Sequence, residues 1–218
     1  MSEGEQAGPA DRRIVAPGLG RLTVEPDVAT VRLGVAITRP TASEARDAAA
    51  ATMTAILDSV VTAGVARRDI RTSLLGLGPL TDYSPERGPR VTGYQLTNTV
   101  EVTVRDLGAA GRVIDSALAA GASSLDGLEF HLDDPTEAQA AARTAAVEDA
   151  RRRATTLAAA ADVTLGPVVG IVEGSRPTAM HERGGIMGMA LKAAADTPVE
   201  AGTQEIVVSV VVTFLIER

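Results

Sequence analysis

Cysteine and tryptophan are both absent from the 218 residues of this chain. The lack of cysteine excludes disulfides, thiolate nucleophiles, iron–sulfur clusters and thiolate zinc sites. Aromatic residues make up only 2% of the chain, so the ring platforms that hold single-stranded nucleic acids are missing. A net charge of −7 also opposes binding to a phosphate backbone. We therefore expect no nucleic-acid partner.

Long apolar stretches are also missing. The longest, residues 206–216, is interrupted by Ser209 and Thr213 and falls short of the roughly 20 residues that cross a bilayer. It therefore predicts a buried strand and no membrane span. Residues 1–12 are polar and carry both charges, without the apolar core of a signal peptide. We interpret them as a disordered tail on a cytoplasmic protein, followed by a single domain over residues 13–218.

The feature that stands out is an alanine-rich helix predicted between Asp134 and Gly166. Asp134 can cap its start and Pro135 suits the first helical position. Small residues recur at helical spacing along one face, which predicts very close packing against a sheet or a neighbouring subunit. That face comprises Ala142, Ala146, Ala150, Ala154, Leu157, Ala158 and Ala161.

The remaining pattern predicts an α+β fold of antiparallel sheets packed with helices, in the order β-β-α-β-β-α-β-α-β-β. The first two strands are predicted to form a hairpin through Glu25-Pro26-Asp27, and Thr41 with Glu44 predicts a capping box for a helix over residues 42–63. Residues 94–105 alternate apolar and polar side chains more regularly than any other stretch, which is typical of a long strand with one dry face. The last strand is apolar on both faces, so we expect both of its faces to be covered.

Residues 174–197 lack clear periodicity, and we interpret them as a mobile or interface loop. Four of them could bind soft copper, although methionine in a glycine-containing segment also serves as adaptable packing at a contact surface. These four residues are Met180, His181, Met187 and Met189.

Other candidate sites have simpler structural explanations. His131 with Asp133 and Asp134 could offer metal ligands, but Asp134 is needed as a cap and no second histidine has ligand spacing. Arg151–Arg153 could bind an anion, but Glu148 and Asp149 precede two of the arginines by four residues and predict ion pairs on a solvated helix face. We therefore assign no catalytic, cofactor or metal residue.

A phosphate loop is the remaining candidate, at Pro17-Gly18-Leu19-Gly20. This segment lacks the third glycine of such a loop and lies in a predicted strand region instead of opening a helix. The pattern favours a strand irregularity or bulge.

Taken in order, the segments of the chain resemble the SIMPL family, bacterial domains of unknown function with kinase-interacting relatives in animals. The resemblance covers nearly all of the chain after the tail. The matching segments are GLGRLTVEPDVATVRLGV at 18–35, TASEARDAAAATM at 41–53, GVARRDIRT at 64–72, GYQLTNTVEVTVRDL at 93–107, VIDSALAAGASSLDGLEFHLDD at 113–134, ARTAAVEDARRRATTLAAAADVTLGPVVGIVEG at 142–174 and TPVEAGTQEIVVSVVVTF at 197–214.

This resemblance implies an α+β fold, large ring-like or channel-like homo-oligomers, a link to envelope or oxidative-stress physiology, and no established catalytic residues. Three hypotheses follow. The first is a non-enzymatic protein that assembles with copies of itself, and the second is a module that binds a protein or ligand through loop 174–197. The third is a hydrolase or metal enzyme that uses His131.

Overall fold

The computed structural model describes residues 12–84, 88–174, 178–181 and 197–217, with only the backbone described at 84 and 178–181. Antiparallel sheets pack with three α-helices in this part of the chain, which confirms the predicted α+β class. The elements are β1 (Arg13–Val24), β2 (Val28–Arg39), α1 (Ala42–Thr62), β3 (Ile70–Ser84), β4 (Gly88–Val104), α2 (Ala110–Ala119), β5 (Ser124–His131), α3 (Thr136–Ala160), β6 (Thr164–Glu173), β7 (Thr178–His181) and β8 (Gln204–Glu217).

The chain divides into two compact units, each with its own sheet. Unit 1 comprises the described residues of Met1–Glu25, Asp134–Gly185 and Thr203–Arg218, and unit 2 comprises those of Pro26–Asp133 and Ile186–Gly202. The single domain predicted for residues 13–218 stays a prediction.

Unit 2 contains a four-stranded antiparallel sheet in the order β3-β4-β2-β5. The predicted capping box starts α1, with the Thr41 side chain accepting from the Glu44 N–H and the Glu44 carboxylate accepting from the Thr41 N–H. The buried face of α1 packs on the apolar faces of β2 and β4, as their alternation predicts. The core formed in this way includes Val31, Leu33, Val35, Ala45, Ala49, Met53, Ile56, Val60, Leu96, Val100 and Val102.

The end of the 174–197 segment is fixed to unit 2. Both the backbone N–H and the hydroxyl of Thr197 donate to the carboxylate of Asp115 on α2, at 2.8 and 2.6 Å. These two bonds lower the pKa of Asp115. Val199, two residues later, packs against the core of unit 2.

Unit 1 is built on a sheet in the order β1-β8-β6, with β7 pairing the first part of β8. β8 lies in the middle, as its two apolar faces predict, and α3 covers one face of the sheet. Asp134 accepts from the Thr136 N–H at 2.9 Å, so it does satisfy an amide at the start of α3, although the helix begins at Thr136 and not at Pro135.

Two predictions about strands are wrong. β1 and β2 do not form a hairpin, because β1 pairs with β8 whereas β2 pairs with β4 and β5. The two strands belong to different units, β1 to unit 1 and β2 to unit 2, and so serve different cores. The 174–197 segment also contains a strand, β7, which adds one strand to the predicted order.

Candidate interaction surface

Strand β1 buries small residues at its centre and exposes two large apolar ones, Val15 and Leu19. Ala16, Gly18 and Gly20 face inward, while Val15 and Leu19 on the opposite face are 56% and 37% exposed. The register with β8 runs without a shift from Arg13 to Val24, so the predicted irregularity at residues 17–20 is wrong. Gly18 and Gly20 allow a helix to pack closely on the strand, and they form neither a bulge nor a phosphate loop.

Helix α3 fills the space above these small residues. A Cβ atom on Gly18 would lie 2.0 Å from the carbonyl oxygen of Ala146, and one on Gly20 would lie 1.9 Å from that of Ala142. The alanine face of α3 therefore packs on the sheet of its own chain and is not available to a neighbouring subunit. Of the predicted stripe, Ala142, Ala146, Ala150, Ala154 and Ala158 are buried, while Leu157 is exposed.

The carboxylate of Asp149 ties α3 to β1. It accepts a hydrogen bond of 3.0 Å from the backbone N–H of Leu19 and forms ion pairs with Arg152 and Arg153 at 3.1 and 2.9 Å. The bond from Leu19, followed by the two arginine charges, lowers the pKa of Asp149. Arg152 was predicted to pair with Glu148 but pairs with Asp149, which lies three residues before it.

The third residue of the arginine run has a different contact. Arg151 lies 5.9 Å from the centroid of the buried Phe214 ring, a cation–π geometry. The three arginines therefore contact their own unit, in agreement with the structural explanation given for this run.

The other face of the unit 1 sheet is apolar and open. Val211 lies opposite Pro17 of β1 and Val172 of β6, so these side chains share one face. Val211 is 42% exposed and Val172 is 67% exposed. We call Val15, Leu19, Val172 and Val211 the open face. The expectation that both faces of β8 are covered is therefore wrong within the described part of the chain.

One ion pair borders the open face. Arg21 on β1 and Glu205 on β8 point to the same side of the sheet as Val211, and their side chains meet at 2.9 Å. Ser209 and Thr213 alternate with the apolar side chains of β8 on this face. Polar side chains thus lie between and beside the exposed apolar ones, and such a mixed composition occurs in protein interfaces.

His131, Asp133 and Asp134 have separate environments. Asp133 accepts a bond of 2.7 Å from Arg105, and Asp134 accepts from Thr136. His131 is half-buried, and its Nδ1 atom is buried without a hydrogen-bond partner among the described residues. Within those residues, no group of three or more His, Asp or Glu side chains is placed to hold a metal ion. The side chains of Met180, His181, Met187 and Met189 lie outside the described residues.

Unit 2 contains a guanidinium bridge that sequence reasoning missed. Arg105 donates to both oxygens of Asp69, at 3.0 to 3.2 Å, and to Asp133. The Asp69 side chain is only 9% exposed, and its bonds, followed by those of Asp133, raise the pKa of Arg105. Asp69 lies 36 positions before Arg105 and Asp133 lies 28 positions after it, so no local pattern in the sequence connects the three residues.

A second cluster lies on the polar face of the unit 2 sheet. Glu101 on β4 accepts from Arg32 on β2 at 3.1 Å and from Arg71 on β3. The bond from Arg32, followed by that from Arg71, lowers the pKa of Glu101. Charged side chains thus link β2, β3 and β4 on this face, whereas the opposite face of the sheet packs in the apolar core.

Residues 14–214 match the model of the SIMPL family, which is described as a protein of unknown function. The chain belongs to the SIMPL family. This result confirms the resemblance in the segments of the sequence. It assigns no reaction, since the family description names none.

Two curated relatives support this membership. The 26 kDa periplasmic immunogenic protein of Brucella melitensis is 36% identical over 212 residues, which cover 94% of this chain and 85% of the relative. The uncharacterized protein YggE of Escherichia coli K12 is 29% identical over 164 residues, which cover 75% and 66%. Neither name is that of an enzyme.

The relatives also correct the predicted location. The Brucella relatives are named as periplasmic proteins, so the prediction of a cytoplasmic protein is wrong. It relied on the composition of residues 1–12 alone. Among the described residues, no helix is both long and apolar enough to cross a membrane.

Proposed function

We propose that this SIMPL protein is a non-enzymatic protein that assembles with copies of itself into a large ring-, channel- or cage-like homo-oligomer. The observation that carries the proposal is the open face of unit 1. β1 exposes Val15 and Leu19 while it buries alanine and glycine, an arrangement that costs free energy in an isolated chain. Contiguous apolar surface of this kind marks an interaction site.

The proposed occupant of the open face is the same face of a second copy. Two sheets stack face to face at about 10 Å when their apolar side chains interdigitate. Complete burial of a valine or leucine side chain contributes about 1.5–3 kcal/mol. The four residues of the open face are 37–67% exposed, so each supplies a corresponding part of that free energy when copies pair. The same patch on both partners satisfies the geometry of a twofold interface.

Sedimentation of the purified chain tests this proposal. The wild-type protein should sediment well above its monomer mass of 22.4 kDa at micromolar concentration. The double variant Val15→Lys/Val172→Lys places charges on β1 and β6, which lie at the edges of the order β1-β8-β6, and edge strands tolerate lysine. It should shift the mass distribution toward the monomer. Leu157→Lys, at a residue that is 51% exposed on α3, is the matched control and should leave assembly unchanged.

Circular dichroism of the three proteins establishes that each is folded. A folded wild-type protein that sediments only as a monomer would overturn the proposal of self-assembly. Equal assembly of the wild-type protein and the folded double variant would show instead that the open face is not a subunit contact.

We also place the protein in the periplasm, by extension from the Brucella relatives that carry this location in their name. Osmotic shock of the native cells should release the protein with soluble periplasmic markers. Retention with cytoplasmic markers would contradict this location. The link to oxidative stress stays a prediction, and the survival of a deletion strain in peroxide, compared with the complemented strain, tests it.

A further inference from the structure

Strand β3 lies at one edge of the unit 2 sheet, in the order that the described strands have. In the described part of the chain it pairs only with β4. Between two register shifts, at Thr72/Leu74 and Leu80/Thr81, its pairing is continuous. Leu74, Leu75 and Leu77 in this segment are 54%, 67% and 50% exposed. The segment therefore presents both unpaired backbone groups and apolar side chains to solvent.

Exposed edges of this kind are usually protected in monomeric proteins by charges, by proline or by a covering element. The edge strand β1 has such protection, because Asp149 of α3 accepts from its Leu19 N–H. Residues 73–80 of β3 contain no charged residue. Within the part of the chain that the structure describes, the features that limit this edge are Pro79 and the two register shifts, which lie at the ends of the segment.

Large residues and glycines alternate along this edge in a self-complementary way. Leu75 and Leu77 share the face of the buried Leu96, whereas Leu74, Gly76 and Gly78 lie on the opposite face, beside Thr99, Thr97 and Gln95. A Cβ atom at Gly76 or Gly78 would have no heavy atom within 4 Å. These glycines leave room beside Leu74 for a side chain that approaches from outside the sheet.

Pro79 indicates which backbone groups face outward. Proline lacks an N–H group and is tolerated in an edge strand where that group would point away from the neighbouring strand. Residues two apart in a strand point their backbone groups the same way, so Leu75 and Leu77 direct their N–H and C=O groups away from β4. The free edge thus offers donors and acceptors at two adjacent exposed leucines.

We propose that β3 pairs antiparallel with β3 of a second copy, about a twofold axis at Gly76. In this register Leu75 of each copy lies opposite Leu77 of the other, and the outward N–H and C=O groups of this pair bond to each other. Leu74 lies opposite Gly78 of the second copy, where the absent side chain provides space. The two four-stranded sheets become one continuous sheet.

Charge also favours a second copy of this chain as the occupant. Arg71, which also donates to Glu101 of its own chain, precedes the segment and Asp82 follows it. Antiparallel pairing brings the Arg71 end of one strand beside the Asp82 end of the other, once at each end of the interface. This contact adds to the assembly proposed above and uses different residues. Two distinct interfaces on each chain extend an assembly beyond a dimer.

Cysteine substitution tests the register, because the natural chain contains no cysteine. In the proposed pairing the two copies of residue 76 form a pair without mutual hydrogen bonds, with Cα atoms about 4.5 Å apart, which suits a disulfide. Gly76→Cys should therefore yield a covalent dimer on mild oxidation. The matched control is Gly78→Cys, whose two copies would lie roughly 14 Å apart at about 3.4 Å per residue and should stay unlinked.

The double variant Leu74→Cys/Gly78→Cys completes the test, since these two residues face each other across the proposed pair and should link. Near-complete dimer on a non-reducing gel for Gly76→Cys and for the double variant, with little for Gly78→Cys, is the expected result. Failure of folded Gly76→Cys to link, or equal linking of Gly78→Cys, would overturn the β3 pairing. Adding Val15→Lys/Val172→Lys should leave the Gly76→Cys link intact, so loss of the open-face contact is distinguished from loss of the β3 pairing.

Discussion

The carboxylate of Asp149 accepts the backbone N–H of Leu19 at 3.0 Å, so a helix side chain satisfies a donor on an edge strand. Arg152 and Arg153 hold the same carboxylate from the helix side. Because α3 packs directly on Gly18 and Gly20 of β1, this hydrogen bond lies where the helix and the strand approach each other closely. The arrangement leads to two predictions about unit 1.

The first prediction concerns the charge of Asp149. Its pKa in the folded protein is below the ordinary value of 3.8, chiefly because of the bond from Leu19. The ionised form therefore stabilises the fold above the ordinary pKa, and this contribution is lost as the pH falls through the lowered value. Asp149→Asn should unfold at lower urea than the wild type at pH 7, and the two midpoints should converge in acid.

Asp47→Asn is the control for this comparison, since Asp47 is an exposed residue paired with its neighbour Arg46. It should shift the urea midpoint little at pH 7. A gap between Asp149→Asn and the wild type that stays constant from pH 7 into acid would contradict the role of the charge.

The second prediction concerns the contact between β1 and α3. Gly20→Ala would place a methyl group 1.9 Å from the Ala142 carbonyl oxygen, and backbone atoms cannot move aside cheaply. We expect it to lower the free energy of unfolding by about 3 kcal/mol or more. Ala159→Ser, which adds one atom on the exposed side of α3, should change it by less than about 1 kcal/mol. Urea unfolding monitored by circular dichroism compares them, and a Gly20→Ala protein as stable as Ala159→Ser would refute the close packing.

The third prediction concerns the start of α1 in unit 2. The Thr41 hydroxyl accepts from the Glu44 N–H, and the Glu44 carboxylate accepts from the Thr41 N–H. Thr41→Ala should lower the free energy of unfolding by about 1 kcal/mol, whereas Thr41→Ser retains the acceptor and should be nearly neutral. Equal losses for the two variants in chemical denaturation would show that the hydroxyl is not the cause.

The fourth prediction concerns the bridge between Arg105 and Asp69. The low exposure of the Asp69 carboxylate makes its separation from Arg105 unfavourable, so Arg105→Gln should destabilise the protein at pH 7. A double-mutant cycle with Asp69→Asn measures the coupling. We expect the double variant to be more stable than the sum of the single losses predicts. Strict additivity would show that the two side chains act independently.

Local patterns predicted much of this fold. The alternation of residues 94–105 identified β4, the pair Thr41 and Glu44 fixed the start of α1, and the alanine stripe identified the buried face of α3. These features depend on neighbours within a few residues, where the helical and strand periods determine which side chains share a face. Such information is contained in a single stretch of chain.

Long-range pairing could not be predicted in the same way. β1 pairs with β8, about 190 residues later, although its near neighbour β2 looked like a hairpin partner. The open face was hidden for the same reason, since the side of a strand that remains uncovered depends on the position of α3. The Arg105 bridge likewise brings together residues from three separate segments. Its carboxylates are indistinguishable in the sequence from other acidic residues.

The central position of β8 in its sheet has a consequence for folding. Among the described residues, β1 and β6 both pair with residues 204–217 alone, so neither has a strand partner until that segment has been made. These residues leave the ribosome about 190 residues after β1, and closing so long a loop is slow. β1 must therefore wait for β8, and a chain shortened before Gln204 would leave both β1 and β6 without their strand partner.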